Sequence, residues 1–232
     1  MINISAKGFR GNDGSAGQAP PAPAQGVPGR DAIEGFFDDE EPSRGQDGAR
    51  GGDGSWASDA TGGGNGGNVT IEVNEYRGGI DVDCSGGAGG SGGRGGDGGQ
   101  GGQGGDGGWG ADCEANAYGG RGGDGGNAGR GGNGGNGGKG GSISLFYKVD
   151  LSGGGQPTFH VEGGVGGVGG LGGTPGRPGE TGRTGRGLNS DYSHSDYDPG
   201  NPPAAALWGQ VGPPGNPGVT SQGGSFDFRR VP

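Results

Sequence analysis

In the stretch GGRGGDGGQGGQGGDGGWG, residues 92–110, glycine fills two of every three positions. A segment with so few side chains has no apolar interior to bury, so any order in it must come from backbone hydrogen bonds. The same triplet phase extends over most of the chain, in six runs of eight in-phase positions each. Run 1 (8–29) has glycine at 8, 11, 14, 17, 26 and 29, with Pro20 and Pro23 in phase. Run 2 (45–66) has Ala57 and Ala60 in two of its eight places. Runs 3 (87–108) and 4 (120–141) are mostly Gly-Gly-X, and run 5 (164–185) changes from Gly-Gly-X to Gly-X-Y halfway. Run 6 (203–224) keeps the phase with Pro203, Ala206, four glycines, Ser221 and Gly224. Disordered low-complexity sequence has no reason to count to eight six times.

Three residues per turn is the period of the polyproline II helix, called polyglycine II when glycine dominates. At about 3.1 Å per residue, a 24-residue run is a rod of about 75 Å. Such a helix makes no internal hydrogen bonds, so its backbone must bond to neighbouring rods, and glycine is needed wherever a Cβ would hold two rods apart. Gly-Gly-X leaves one decorated column and Gly-X-Y leaves two. Runs 3 and 4 are therefore expected at the centre, and runs 1, 2 and 6 at the periphery. Their X columns, Arg94, Asp97, Gln100, Gln103 and Asp106 in run 3 and Arg121 to Lys139 in run 4, are expected to be solvated.

The segments between runs alternate in kind. Residues 2–7, 69–76, 80–84, 142–151, 158–162 and 225–231 alternate apolar and polar residues as strands do. The links RGG and SGGGQP within two pairs of them suggest hairpin turns. Residues 30–44, 109–119 and 186–202 are polar loops. The order is strand–run–loop–run–strand, three times. The expected fold is a single domain, 1–232, with few residues in regular helix or strand and no α-helical core. Six antiparallel polyglycine II helices carry a small six-stranded β sandwich or barrel at one end, the base, and three loops at the other, the tip. The expected base core is Ile2, Ile4, Val69, Ile71, Val73, Ile80, Val82, Ile143, Leu145, Tyr147, Val149, Phe159, Val161, Phe226 and Phe228.

Charge follows the same polarity. Residues 30–44, 111–118 and 188–202 hold eleven acids against Arg30 and Arg44, net −9 of the chain's −10, while the remainder has 15 acids against 14 bases. An acidic chain disfavours nucleic acid and anionic membrane as partners. The RGG triplets at 50–52, 94–96 and 121–123 are each followed by an aspartate, so an RGG-type RNA-binding reading ranks low. No apolar run approaches a membrane span. The start MINISAKGF lacks the form of a signal peptide, which suggests cytoplasmic synthesis and leaves the final location, virion or cell surface included, open. Cys84 and Cys113 fall at opposite ends of the expected rod, too far apart for a disulfide within one chain, so both are expected as free thiols.

Catalysis is not expected. His194 with Ser193 and Asp196 lies in one polar loop, where solvated filler is the commoner outcome, and no cofactor motif is present. Calcium held by Asp38, Asp39, Asp112, Glu114, Asp196 and Asp198 is a minority reading, because hard oxygen ligands suit Ca2+ but no loop has EF-hand spacing. The leading reading is recognition, with a protein or glycan partner bound by tip residues Phe36, Phe37, Asp38, Asp39, Glu40, Glu41, Trp109, Tyr118, Tyr192, His194 and Tyr197. Aromatic residues held at the end of a rigid scaffold are the usual material of such a surface. The runner-up is a purely structural protein that self-associates through outer rods or base strands.

The Gly-Gly-X runs and the rod count resemble the polyglycine II bundle proteins over roughly residues 8–224. Springtail (snow flea) antifreeze proteins pack six antiparallel rods in two layers of three, and the tip adhesins of tailed phages carry receptor-binding loops on glycine-rich rods. The resemblance implies the bundle architecture and brings no functional motif. Ice binding fits poorly, because the X columns hold Arg, Asp, Asn and Gln where a flat face of small apolar side chains is expected. The adhesins look closer, through their loops, and imply an adhesin-like rod; a monomer is expected.

Overall fold

A computed structural model of the chain describes residues 2–33, 40–110, 115–185 and 203–232. Among these residues six strands interrupt the glycine runs: β1 (Ile2–Ser5), β2 (Val69–Tyr76), β3 (Ile80–Asp83), β4 (Ser142–Asp150), β5 (Thr158–His160) and β6 (Ser225–Arg230). They form two three-stranded sheets, in the orders β1-β3-β5 and β2-β4-β6. Every strand pair in both sheets is parallel, with registers such as Ile2 opposite Ile80 and Val69 opposite Ile143.

The two expected hairpins are therefore corrected. β2 and β3 lie in different sheets, as do β4 and β5. The intervening turns cross from one sheet to the other instead of folding a strand back on its neighbour. Gly78 and Gly79 (φ 80° and 70°) and Gly153 and Gly154 (φ 65° and 94°) supply the left-handed backbone that these turns need. The inward faces of both sheets are apolar, and a crossing turn lets those faces meet.

The runs continue the two sheets as two layers. Within the layer of runs 1, 3 and 5 the chains are parallel, with Gly11 N–H donating to Ala88 O and Gly89 N–H to Val165 O (2.8 and 2.9 Å). Runs 2, 4 and 6 form the second parallel layer, through bonds such as Gly51 N–H to Asp124 O and Gly134 N–H to Asn216 O (both 2.8 Å). Between layers the chains are antiparallel, as in Gly126 N–H to Gly99 O and Gly167 N–H to Gly135 O (both 2.8 Å). Run 3 bonds to runs 1, 2, 4 and 5, and run 4 to runs 2, 3, 5 and 6. Runs 1 and 2 lie at one edge and runs 5 and 6 at the other. The chain thus makes three long coils, each a strand, a run, a loop, a run and a strand: residues 2–76, 80–150 and 158–230.

One triplet shows how a Gly-Gly-X unit satisfies its backbone. Gly125 N–H donates to Leu207 O in the same layer, and Gly126 N–H to Gly99 O in the other (both 2.8 Å). The third N–H, on Asn127, finds no backbone carbonyl and donates to Asp53 Oδ1 (2.7 Å). Asn127 Oδ1 in turn accepts from Gln210 N–H (2.9 Å). The same exchange recurs where Asn133 N–H donates to Asp59, Asn216 N–H to Asn133 and Thr174 N–H to Asp97. The X columns are thus more than solvated. Their Asp and Asn side chains complete the backbone hydrogen bonding across the face, and arginines three residues earlier pair with the carboxylates at Asp53, Asp97 and Asp124.

The apolar cluster among the described residues lies at the base. Tyr76, Ile80, Val82, Cys84, Ile143 and Leu145 are buried, flanked by Ile4, Val69, Ile71, Val73, Tyr147, Phe159, Val161 and Phe228. Tyr76 and Cys84 were outside the expected core. The inward phase of β2 shifts between Val73 and Tyr76, which brings the Tyr76 ring against those of Tyr147 and Phe228 (centroids 5.7 and 5.2 Å). Ile2, Val149 and Phe226 were expected inside and are exposed, because they lie on edge strands or beyond the overlap of the two sheets. Among the described residues no helix is long and apolar enough to cross a membrane.

Candidate functional site

The antiparallel relation of the layers carries the loop after run 1 and the loop after run 3 to one end. Their stems are built by the sequence around each run's last triplet. In the first loop Ile33 and Glu40 exchange both backbone hydrogen bonds (3.0 Å each), closing a narrow neck, and Ser43 N–H donates to Arg30 O (2.9 Å). In the second, Ala117 N–H donates to Gly108 O (3.1 Å) and Gly110 N–H to Asn116 Oδ1 (3.0 Å).

The two stems are also tied to each other. Trp109 N–H donates to Asp31 Oδ1 (2.9 Å), and Trp109 O accepts from Ala32 N–H (2.8 Å). Gly45 N–H donates to Tyr118 O (3.1 Å), and Gly108 N–H to Ser43 O (3.0 Å). The end of run 5 joins them, as Gly185 N–H donates to Ala117 O (3.0 Å). Trp109 is fixed through its backbone on both sides while its side chain stays 57% exposed. Such a side chain is available for contact and loses little freedom on meeting a partner.

Four of the expected tip residues fall within this stem: Trp109, half-buried Tyr118, and exposed Glu40 and Glu41. The structure brings Trp109, Tyr118 and Glu40 onto neighbouring, mutually bonded segments. Phe36, Phe37, Asp38, Asp39, Tyr192, His194 and Tyr197 lie outside the described residues, as do Ser193 and Cys113. The same holds for Asp112, Glu114, Asp196 and Asp198 of the calcium reading. Among the described residues no group of three His, Cys, Asp or Glu side chains is placed to hold a metal ion. Cys84 is a buried thiol in the base core, and burial pushes its pKa up.

Sequence reasoning missed Asp31, Ser43 and Asn116, the residues that pin the stems. Each is a short polar side chain within a few positions of a run's end, where the triplet hydrogen bonding stops and backbone groups need other partners. Position at the end of a run was the available signal.

No protein-family model matches this chain, and no curated protein is similar to it in sequence.

Proposed function

We propose that this chain is a non-enzymatic presentation rod: six polyglycine II helices in two layers, set on a β base and displaying the three tip loops to a protein or glycan partner. The observation that carries the reading is the cross-bonded stem, in which Asp31, Ala32, Gly45 and Ser43 of one loop hold Trp109, Gly108 and Tyr118 of the next. A loop anchored in this way keeps its side chains in fixed relative positions, as recognition requires. The acidic balance of the tip suits a basic or cation-bearing partner surface. In architecture the rod is of the kind found in polyglycine II bundle proteins and closest in plan to a loop-bearing tip adhesin. Calcium in the tip, and ice or RNA binding, are lesser readings.

The purely structural reading, in which rods accrete laterally by their own hydrogen bonds, meets an obstacle at both edges. Inside the bundle the inward columns are glycine. A Cβ on Gly90 would sit 2.4 Å from the Asn12 carbonyl carbon. The equivalent column of run 1 instead holds Phe9, Asn12, Ser15 and Gln18, and the outward column of run 6 holds Trp208, Val211, Pro214 and Pro217. No further rod fits against those side chains at the bundle's spacing.

The test is binding to printed glycan and surface-protein arrays with the intact chain. Saturable signal that disappears in Trp109→Ala and in Phe36→Ala/Phe37→Ala, and survives Trp56→Ala on a rod face, is the expected result. Signal indifferent to the tip substitutions would overturn the proposal.

A further inference from the structure

The two ends of the coil stack are finished differently. At the coil-1 edge the N–H groups of Asn12, Ser15 and Gln18 donate to Thr61 Oγ1, Ser58 Oγ and Ser55 Oγ (2.6, 2.7 and 2.7 Å). Hydroxyls thus satisfy backbone donors that a further coil would otherwise take. Among the described residues the coil-3 edge lacks such a hydroxyl row, with only Thr220 Oγ1 accepting there, from Gly166 N–H (3.2 Å). It carries Val165, Val168 and Leu171 on run 5, Trp208 and Val211 on run 6 and Phe226 on β6, all 60–71% exposed. Pro214 and Pro217 remove two more donors from the same edge.

We propose that this coil-3 edge is the interface of a closed homodimer whose two-fold axis runs along the rods, so that both tips lie at the same end. The hydrogen bonds from Gly218 N–H to Gly167 O and from Gly215 N–H to Gly170 O (both 2.8 Å) set the heights along the edge. Val168 is level with Pro217, and Leu171 with Pro214. Arg177 is level with Trp208, over whose ring its guanidinium lies at 6.0 Å. A two-fold axis along the rods keeps heights and exchanges runs 5 and 6. Val168 then meets Pro217 and Leu171 meets Pro214, while Thr174 lies against Val211 and Arg177 against the face of Trp208. An axis across the rods would lay Val165, Val168 and Leu171 over Arg177, Glu180 and Arg183, where the charges would lose water without partners.

The size fits a second copy. Two chains at roughly the 4.8 Å spacing of bonded extended backbones make an edge about 10 Å wide. Over a run of about 70 Å this gives about 700 Å2 per copy and about 1,400 Å2 in total, within the ~1,200–2,000 Å2 of stable interfaces. On the coil-1 edge the exposed Phe9 and Val27 are separated by Asn12, Ser15 and Gln18 with their hydroxyl partners, which leaves no continuous apolar strip to match, so association is isologous and stops at two. The interface stands on its own observations; only its consequence, two tips acting bivalently on one partner surface, rests on the presentation reading.

Sedimentation equilibrium of the intact chain at micromolar concentration is the test. The expected mass is twice the 22.2 kDa of the chain. It should fall to a single chain in Val168→Asp/Val211→Asp with the melting temperature of the single chain retained, and stay doubled in Trp56→Asp. A single-chain mass for the wild-type protein, as a monomeric rod would give, overturns the proposal. So does a dimer that survives the double substitution, or a mass that keeps growing with concentration. Spin labels at Ala204→Cys, in a Cys113→Ser background, should report a separation far below the rod length. A separation near the rod length refutes the same-end arrangement. The mass is independent of the tip, so failed array binding with an intact dimer would count against the presentation reading alone.

Discussion

Replacing Gly126 by alanine puts one methyl group into the middle of the bundle. Gly126 lies in run 4, and a Cβ there would fall inside the van der Waals radius of the Gly52 carbonyl oxygen, 2.6 Å from its carbon and 2.8 Å from the Gly51 oxygen. All of these neighbours are backbone, so no side chain can rotate away. Ordinary contact requires runs 2 and 4 to part by about 1.5 Å locally, which breaks or weakens bonds that sit near their optimum length. Those at risk are Gly54 N–H to Asn127 O, Asn127 N–H to Asp53 Oδ1 and Gly126 N–H to Gly99 O (2.8, 2.7 and 2.8 Å). At about 1 kcal/mol each the loss is about 3 kcal/mol. Alanine recovers about 0.4–1 kcal/mol by narrowing the unfolded ensemble, leaving a net loss of about 2–3 kcal/mol. For a chain of this length that corresponds to about 4–12 °C in melting temperature. Scanning calorimetry on Gly126→Ala, beside Gly155→Ala in the β4–β5 turn where the nearest atom would be 3.4 Å away, measures it. A Gly126→Ala melting temperature equal to that of Gly155→Ala would refute the requirement for glycine at rod contacts.

Acid should loosen the bundle through its face ladders. Backbone N–H donors hold the pKa values of Asp53, Asp59, Asp97 and Asp124 below the usual 3.8, with Arg50, Arg94 and Arg121 helping at three of them. Their stabilisation is complete above the unfolded value and disappears as pH falls below about 4, so melting temperature should be level from neutral pH to about 5 and drop beneath it. Asp53→Asn/Asp97→Asn, which keep the acceptor oxygen, should flatten that drop, and an unchanged acid profile would count against the ladder. Leu145→Ala removes a fully buried side chain from the small base core and should cost about 2–5 kcal/mol. Hydrogen exchange should then speed up across the base strands first; uniform acceleration along the runs would show that the base does not fold as a unit. Cys84 should resist a thiol reagent in the native protein and react on unfolding, since it is wholly buried; rapid native reaction would refute its place in the core.

The strands were partly legible because alternation survives wherever one face of a strand is covered. Val69, Ile71 and Val73 show it plainly, and Tyr76 does not, since its phase shifts at the strand's end. At the tip, Trp109 and Tyr118 stood out as aromatic residues among acids. Asp31, Ser43 and Asn116 did not, because a short polar residue in a loop looks the same whether it caps a backbone group or faces water.

The sequence by itself determined the period, the number of runs and the columns in which a side chain is forbidden. Those follow from one local constraint, that a Cβ cannot lie between two touching backbones, and local constraints leave marks at fixed spacing. Only the tertiary structure decided that the sheets are parallel, that the glycine turns cross between layers, and that Asp and Asn side chains accept third N–H groups of neighbouring triplets. Those depend on partners about 73 to 83 positions away, such as Asp53 with Asn127 and Asn127 with Gln210. A pairing over that distance imposes no pattern on the residues lying between, so nothing short of the folded chain records it.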